Sequence, residues 1–182
     1  MINHPVFFVN DGQRYLSFMQ DVNSKSTLRK LHIPFALGLK GTINALGAHN
    51  SKISNPLYVR YWSMVPYQLG LDNDRQAVKY SVRNCSKVST SLPDHPNHNF
   101  LRAALQDTLQ KQDACMEFLI QPRTSTQMQV EDAMTEWKEA EAPFIRLQLF
   151  VFQSKALIHR NRINFVKISP LRRGMLYLST NL

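Results

Sequence analysis

Cysteine is scarce: there are two in 182 residues, Cys85 and Cys115, thirty positions apart with no companion pairs. That spacing matches neither a disulfide framework nor a zinc-ligand set, so a reducing, cytoplasmic location is the expectation. Long apolar runs are missing too. The longest near the start, PVFFV, is too short for a signal segment or a membrane span, and no membrane partner is expected. There is no GxGxxG, no Walker loop, no nucleophile elbow and no zinc-protease helix motif, which removes the commonest nucleotide-binding and hydrolytic classes. Internal repeats and low-complexity tracts are absent as well.

Charge is unevenly spread along the chain. The formal charge is +9, which by itself points toward nucleic acid or another polyanion. Residues 154–182 carry six basic side chains and no acid, whereas residues 1–153 carry 16 Lys and Arg against 13 Asp and Glu. The first part is therefore nearly balanced, and nucleic acid is not expected as its partner. Residue 154 is a composition boundary.

What is present is a core-forming chain, 43% hydrophobic, of a length that suits one globular domain or a piece of a larger one. PVFFV at residues 5–9 predicts a buried strand. Tyr15, Leu16, Met19 and Val22 recur at helical spacing and predict a helix from about Gln13 to Val22. Phe35, Leu39, Ile43 and Leu46 share one face of a second helix, weakened by Gly38 and Gly41 and stopped near Gly47. NPLYVRYWSM looks extended and AVKYSVRN alternates as a strand does. Asn97 or Asn99 caps a helix over FLRAALQDTLQKQ, and CMEFLIQ and FIRLQLFVF follow as strands with period two. The strands have no βαβ rhythm, so the fold class is α+β with an antiparallel sheet or barrel.

Three clusters invite a chemical reading. His95 and His98 stand three apart beside Asp94, but Pro96 makes this a loop and no third ligand is near, so no metal is expected. The acids of EDAMTEWKEAEAP could serve acid–base work, but they flank a lone Trp137 in a surface-like segment, which predicts a solvated stretch. YVRYW sets Arg60 among Tyr58, Tyr61 and Trp62, as a base-stacking platform does, although aromatic residues in a strand are more often core.

Three longer stretches, NHPVFFVNDGQRYLSFM, NPLYVRYWSMVPYQLG with AVKYSVR, and NFLRAALQ through EAPFIRL, resemble in order the small catalase-like haem proteins of the catalase superfamily. The resemblance covers most of residues 3–152. It implies an antiparallel β-barrel, incomplete here, around a buried haem, with peroxide disproportionation or peroxide-dependent oxidation as the family reaction. On the matched positions it assigns Phe7 and Phe8 to the aromatic pair behind the pocket and Tyr15 to the distal side. Asn3 is the candidate distal Asn, although the family's Asn pair begins at the position of Ile2. The family places its distal His before this segment, so none is assigned. Arg173 and Tyr177 superficially fit the proximal Arg-x-x-x-Tyr motif, but Gly174 and the absence of an amphipathic period argue against a helix there. The resemblance thus describes residues 1–153 as a partial haem domain, an inactive fragment whose unpaired strand edges invite self-association.

Residues 154–182 break the resemblance, the period and the charge balance together. Codons allowed for NFVKISPLRRGMLYLSTNL, read from each third base, permit Phe-Cys-Glu-Asn-Leu-Ser-Phe-Thr-Pro-Trp-His, which is close to the family's continuation after its last strand. The tail is therefore expected to be frameshifted translation without structure of its own. The alternative is a basic arm that makes the chain a nucleic-acid or anion-binding module.

Overall fold

The protein is seen in a computed structural model that describes residues 1–49, 52–86 and 91–152, and the backbone of residues 166–169. The elements in chain order are α1 (Gly12–Val22), α2 (Thr27–His49), a 3-10 turn at Pro56–Tyr58, β1 (Tyr61–Trp62), β2 (Tyr67–Leu69), a second 3-10 turn at Asp72–Asp74, β3 (Gln76–Asn84), α3 (Phe100–Lys111), β4 (Ala114–Pro122), β5 (Ile145–Phe152) and β6 (Val166–Ser169). The strands run in the order β1-β3-β4-β5-β6, with β2 also on β3. The pairings β2–β3, β4–β5 and β5–β6 are antiparallel. Among the described residues β1 and β6 end this order without closing it, so the architecture is α+β with an open antiparallel sheet.

The contacts gather into two compact units. The first holds α1, α2, β1, β2, the start of β3 and residues 121–144. Asp11 caps α1, its side chain accepting from the Arg14 N–H at 2.7 Å. The predicted strand at residues 5–9 does not form. Val6 and Val9 are buried as expected, but the segment is irregular: Ile2 bridges Trp62, and the Phe7 N–H finds the Ala133 carbonyl at 2.9 Å instead of a ladder partner. Apolar content announced burial correctly, while the hydrogen bonds went to a loop. α2 is longer than its predicted core and breaks at Gly38, whose φ of 69° suits a residue without a Cβ. Gly41 lies so close to the unit that a Cβ there would stand 2.6 Å from the Phe8 carbonyl oxygen.

The second unit holds the Pro56–Tyr58 turn, the end of β3, α3, most of β4, and β5. Asn99 is the N-cap residue of α3, though without a side-chain cap bond, and Leu109 is buried at 4% exposure. The buried Asn55 organises the turn: its Oδ1 accepts from the Leu57 N–H at 3.0 Å, and its Nδ2 donates to Thr108 Oγ1 at 2.8 Å and to the Ala104 carbonyl at 3.2 Å. Both amide hydrogens and the carbonyl oxygen thus have partners, as burial of an amide requires. The β4–β5 register runs from Ala114 opposite Phe152 to Ile120 opposite Ile145 and skips Leu147, so β5 bulges there and its strict alternation is interrupted. The expectation for cysteine is corrected: Cys85 and Cys115 form a disulfide, with Cα atoms 5.4 Å apart. Spacing in sequence could not reveal that the end of β3 and the start of β4 are neighbours.

Of residues 154–182, only Val166–Ser169 is described, as a strand antiparallel to β5. The rest of the tail, with Arg173 and Tyr177, lies outside the described residues.

Candidate functional site

The residues assigned by resemblance all fall in the first unit. Asn3 is half-buried just after the Ile2–Trp62 bridge. Phe7 and Phe8 follow, and the first turns of α1 bring Tyr15 and Phe18 onto them. Ring centroids lie 4.5 Å apart for Phe7–Phe8, 5.6 Å for Phe7–Tyr15, 6.1 Å for Phe8–Tyr15 and 4.8 Å for Phe8–Phe18, all tilted. Three of the four assigned residues are therefore brought together. The rings touch at tilted angles and stay partly exposed, Tyr15 at 40%.

Within the same unit, residues absent from any sequence-based assignment form a tighter polar group. Lys79 on β3 is only 5% exposed. Its Nζ donates to the Thr135 carbonyl at 3.3 Å and lies 5.1 Å from the centroid of the Trp137 ring. Burial pulls its ammonium down to about 8, against the partial support of Glu136 and Asp132. Gln121, 2% exposed, donates from Nε2 to the carbonyls of Trp137 at 2.9 Å and Ala142 at 2.8 Å, and so pins that loop. Trp137 itself is 3% exposed and packs with Met128 and Ala142. The solvated reading of its segment is thus corrected. Glu131, Glu136, Glu139 and Glu141 are exposed as expected, but the Trp between them is core.

Asp132 is the other fixed point. Its carboxylate accepts from Asn10 at 3.2 Å, from the Met134 N–H at 2.9 Å and from the Thr135 hydroxyl, and it pairs with Lys40 at 3.4 Å. Burial pushes the carboxyl up, but these donors outweigh it and hold the group at about 2. In the second unit Glu117 is gripped by Arg83 at 2.8 Å and Arg146 at 3.1 Å. Burial again opposes ionisation, and the two guanidinium groups win, leaving its carboxyl below the ordinary range.

These groups hold loops and strands. The space lined by Trp62, Lys79, Gln121, Trp137 and Phe144 amounts to about 10 Å³, room for one water and no substrate. A hollow of about 320 Å³ in the second unit is lined by Ser54, Pro93, Phe100, Ala104 and Asp107, and the only charge among these, Asp107, already pairs with Lys111 at 2.7 Å. His95 and His98 are exposed in the loop before α3, and among the described residues no three His, Cys, Asp or Glu converge as metal ligands do. Of the YVRYW stretch, Tyr58 and Arg60 belong to the second unit, Tyr61 and Trp62 to the first, all half-buried. The Tyr58 hydroxyl accepts from Gln112 at 3.0 Å, and burial raises the Tyr61 phenol.

A haem needs aromatic faces turned to an open slot and a side chain that ligates iron. Phe7, Phe8 and Tyr15 close on one another, and the residues matched to the proximal motif lie outside the described part. No family model matches the chain, and no curated protein matches it.

Proposed function

We propose that the chain is a relative of the catalase-like haem proteins, whose reaction is peroxide disproportionation or peroxide-dependent oxidation, and that this 182-residue chain does not itself turn over peroxide. The family part of the reading is supported by the order of the resembling stretches and by the antiparallel strands on which they fall; the closed barrel of the family belongs to the proposal. The inactive part rests on one observation: the aromatic rings assigned to the pocket pack against each other and against Phe18. Open strand edges make pairing between copies part of the same reading.

The test has two arms. Purified chain titrated with haemin is expected to show no sharpened Soret band and no peroxide turnover above free haemin at equal concentration; turnover above that level overturns the inactive reading. Binding to RNA or DNA is expected to be weak at physiological salt. Tight binding with a steep salt dependence would instead establish the basic module. Sequencing the gene past codon 182 decides the tail, because the frameshift reading requires the offset frame to continue open into the family's next residues.

A further inference from the structure

α2 is two-faced in an unusual sense. One face holds it on the first unit: Leu37 is 5% exposed, Gly41 abuts the Phe8 carbonyl, and Asn44 donates to the carbonyls of Phe7 at 2.9 Å and Met134 at 3.1 Å. Leu28, Leu31 and Phe35 before the Gly38 break and Leu39, Ile43 and Leu46 after it, spaced three and four apart within each piece, are all exposed, with Phe35 at 83% and Leu39 at 81%. A helix normally turns such a run inward, and two successive runs left in water mark an interaction surface.

Charge narrows the occupant. Between Val22 and residue 50 there is no Asp or Glu, while Lys25, Arg29, Lys30 and Lys40 are present, and all four are exposed. Lys40 is already paired with Asp132, but two copies packed together would bring Lys25, Arg29 and Lys30 close with no acid on the helix to answer them. A nucleic acid would answer the cations and leave the apolar stripe in water. An anionic lipid surface answers both, the acyl boundary taking the stripe and the headgroups taking Lys and Arg, whose long stems reach outward from beside it. No helix among the described residues is long and apolar enough to cross a membrane, which agrees with a helix lying in the interface.

We propose that α2 is an interfacial helix that seats the first unit on anionic lipid through Leu28, Leu31, Phe35, Leu39, Ile43 and Leu46, with Lys25, Arg29 and Lys30 on the headgroups.

The experiment is flotation of the full 182-residue chain with vesicles of phosphatidylcholine alone and of equal parts phosphatidylcholine and phosphatidylserine. Binding is expected to the phosphatidylserine vesicles only, to weaken roughly fivefold for each of Arg29→Gln and Lys30→Gln, and to be lost in the double variant Phe35→Asp/Leu39→Asp. Because both side chains stand free of the fold, that variant is expected to melt with the wild type. Unchanged binding by the double variant would assign attraction to the basic tail and overturn the proposal. So would absence of binding by the wild type, or a wild-type dimer in sedimentation velocity that the double variant splits without any vesicle binding.

Discussion

α2 and α3 carry the same kind of pattern and make opposite use of it. In α3, Leu101, Leu105 and Leu109 recur every fourth residue and turn inward, with Leu109 buried and Asn55 bonded to the last turns. In α2 the residues with the same spacing stand in water, and the helix is held by Leu37, Gly41 and Asn44, which no apolar period singles out. Periodicity states which residues share a face. It does not state which face meets the protein.

The largest expected effect concerns the unit that holds α3. The disulfide closes a loop thirty residues long, and Cys115→Ser, or reduction, should cost about 3.5 kcal/mol by the chain-entropy estimate; a melting midpoint unmoved by reductant would show that the crosslink adds nothing to what the β4–β5 ladder and Asn55 already hold. Leu109→Ala removes a buried side chain and should cost about 3 kcal/mol in urea unfolding. The matched change Leu39→Ala is expected to stay within about 0.5 kcal/mol, because that residue is 81% exposed. Equal costs for the two leucines would erase the contrast between the helices.

Asp132 sharpens it, since Lys40 of α2 is one of its partners. Asp132→Asn should cost about 1–2 kcal/mol at neutral pH. The folded carboxyl stays ionised down to about 2 while the unfolded one takes a proton near 3.8. Its contribution is therefore full above the unfolded value and is lost as pH falls through about 2, a loss the Asn variant should not show.

Lys79 gives the opposite sign. The fold releases its proton near 8, whereas the unfolded chain holds it to about 10.5. Across that window the unfolded state binds more protons, so stability rises with pH, and below 8 the penalty of burying the charge is constant. Lys79→Met should flatten this rise and leave stability at pH 7 equal or higher, by about 1 kcal/mol. A stability curve that falls from pH 8 to 10.5 in the wild type, with Lys79 still protonated, would refute the account of its burial.

Much of the local structure was legible. The period around Tyr15 and Met19 located α1, the alternation of AVKYSVRN located β3, and Asn99, one of two named candidates, holds the N-cap position of α3 without a side-chain cap bond, because these signals arise from geometry within a single element. The candidate site was less so. Phe7, Phe8 and Tyr15 do meet, as a partly exposed cluster, while Lys79, Gln121, Asn55 and Asp132 gave no sign in the sequence of the bonds they make. A buried Gln and an exposed Gln are written with the same letter. Only partners distant in the chain distinguish them, such as the Trp137 and Ala142 carbonyls for Gln121.

The sequence alone therefore determined the α+β class, the places of α1, α3, β3, β4 and β5, and the abrupt change of composition at residue 154, since propensity, period and charge are properties of neighbours. Tertiary structure alone decided that PVFFV bonds to a loop, that Cys85 meets Cys115, that Trp137 is core and that the apolar stripe of α2 faces out. Each of these depends on which distant backbone or side chain arrives to satisfy a hydrogen bond or exclude water, and burial is a property of that arrival and not of the residue itself.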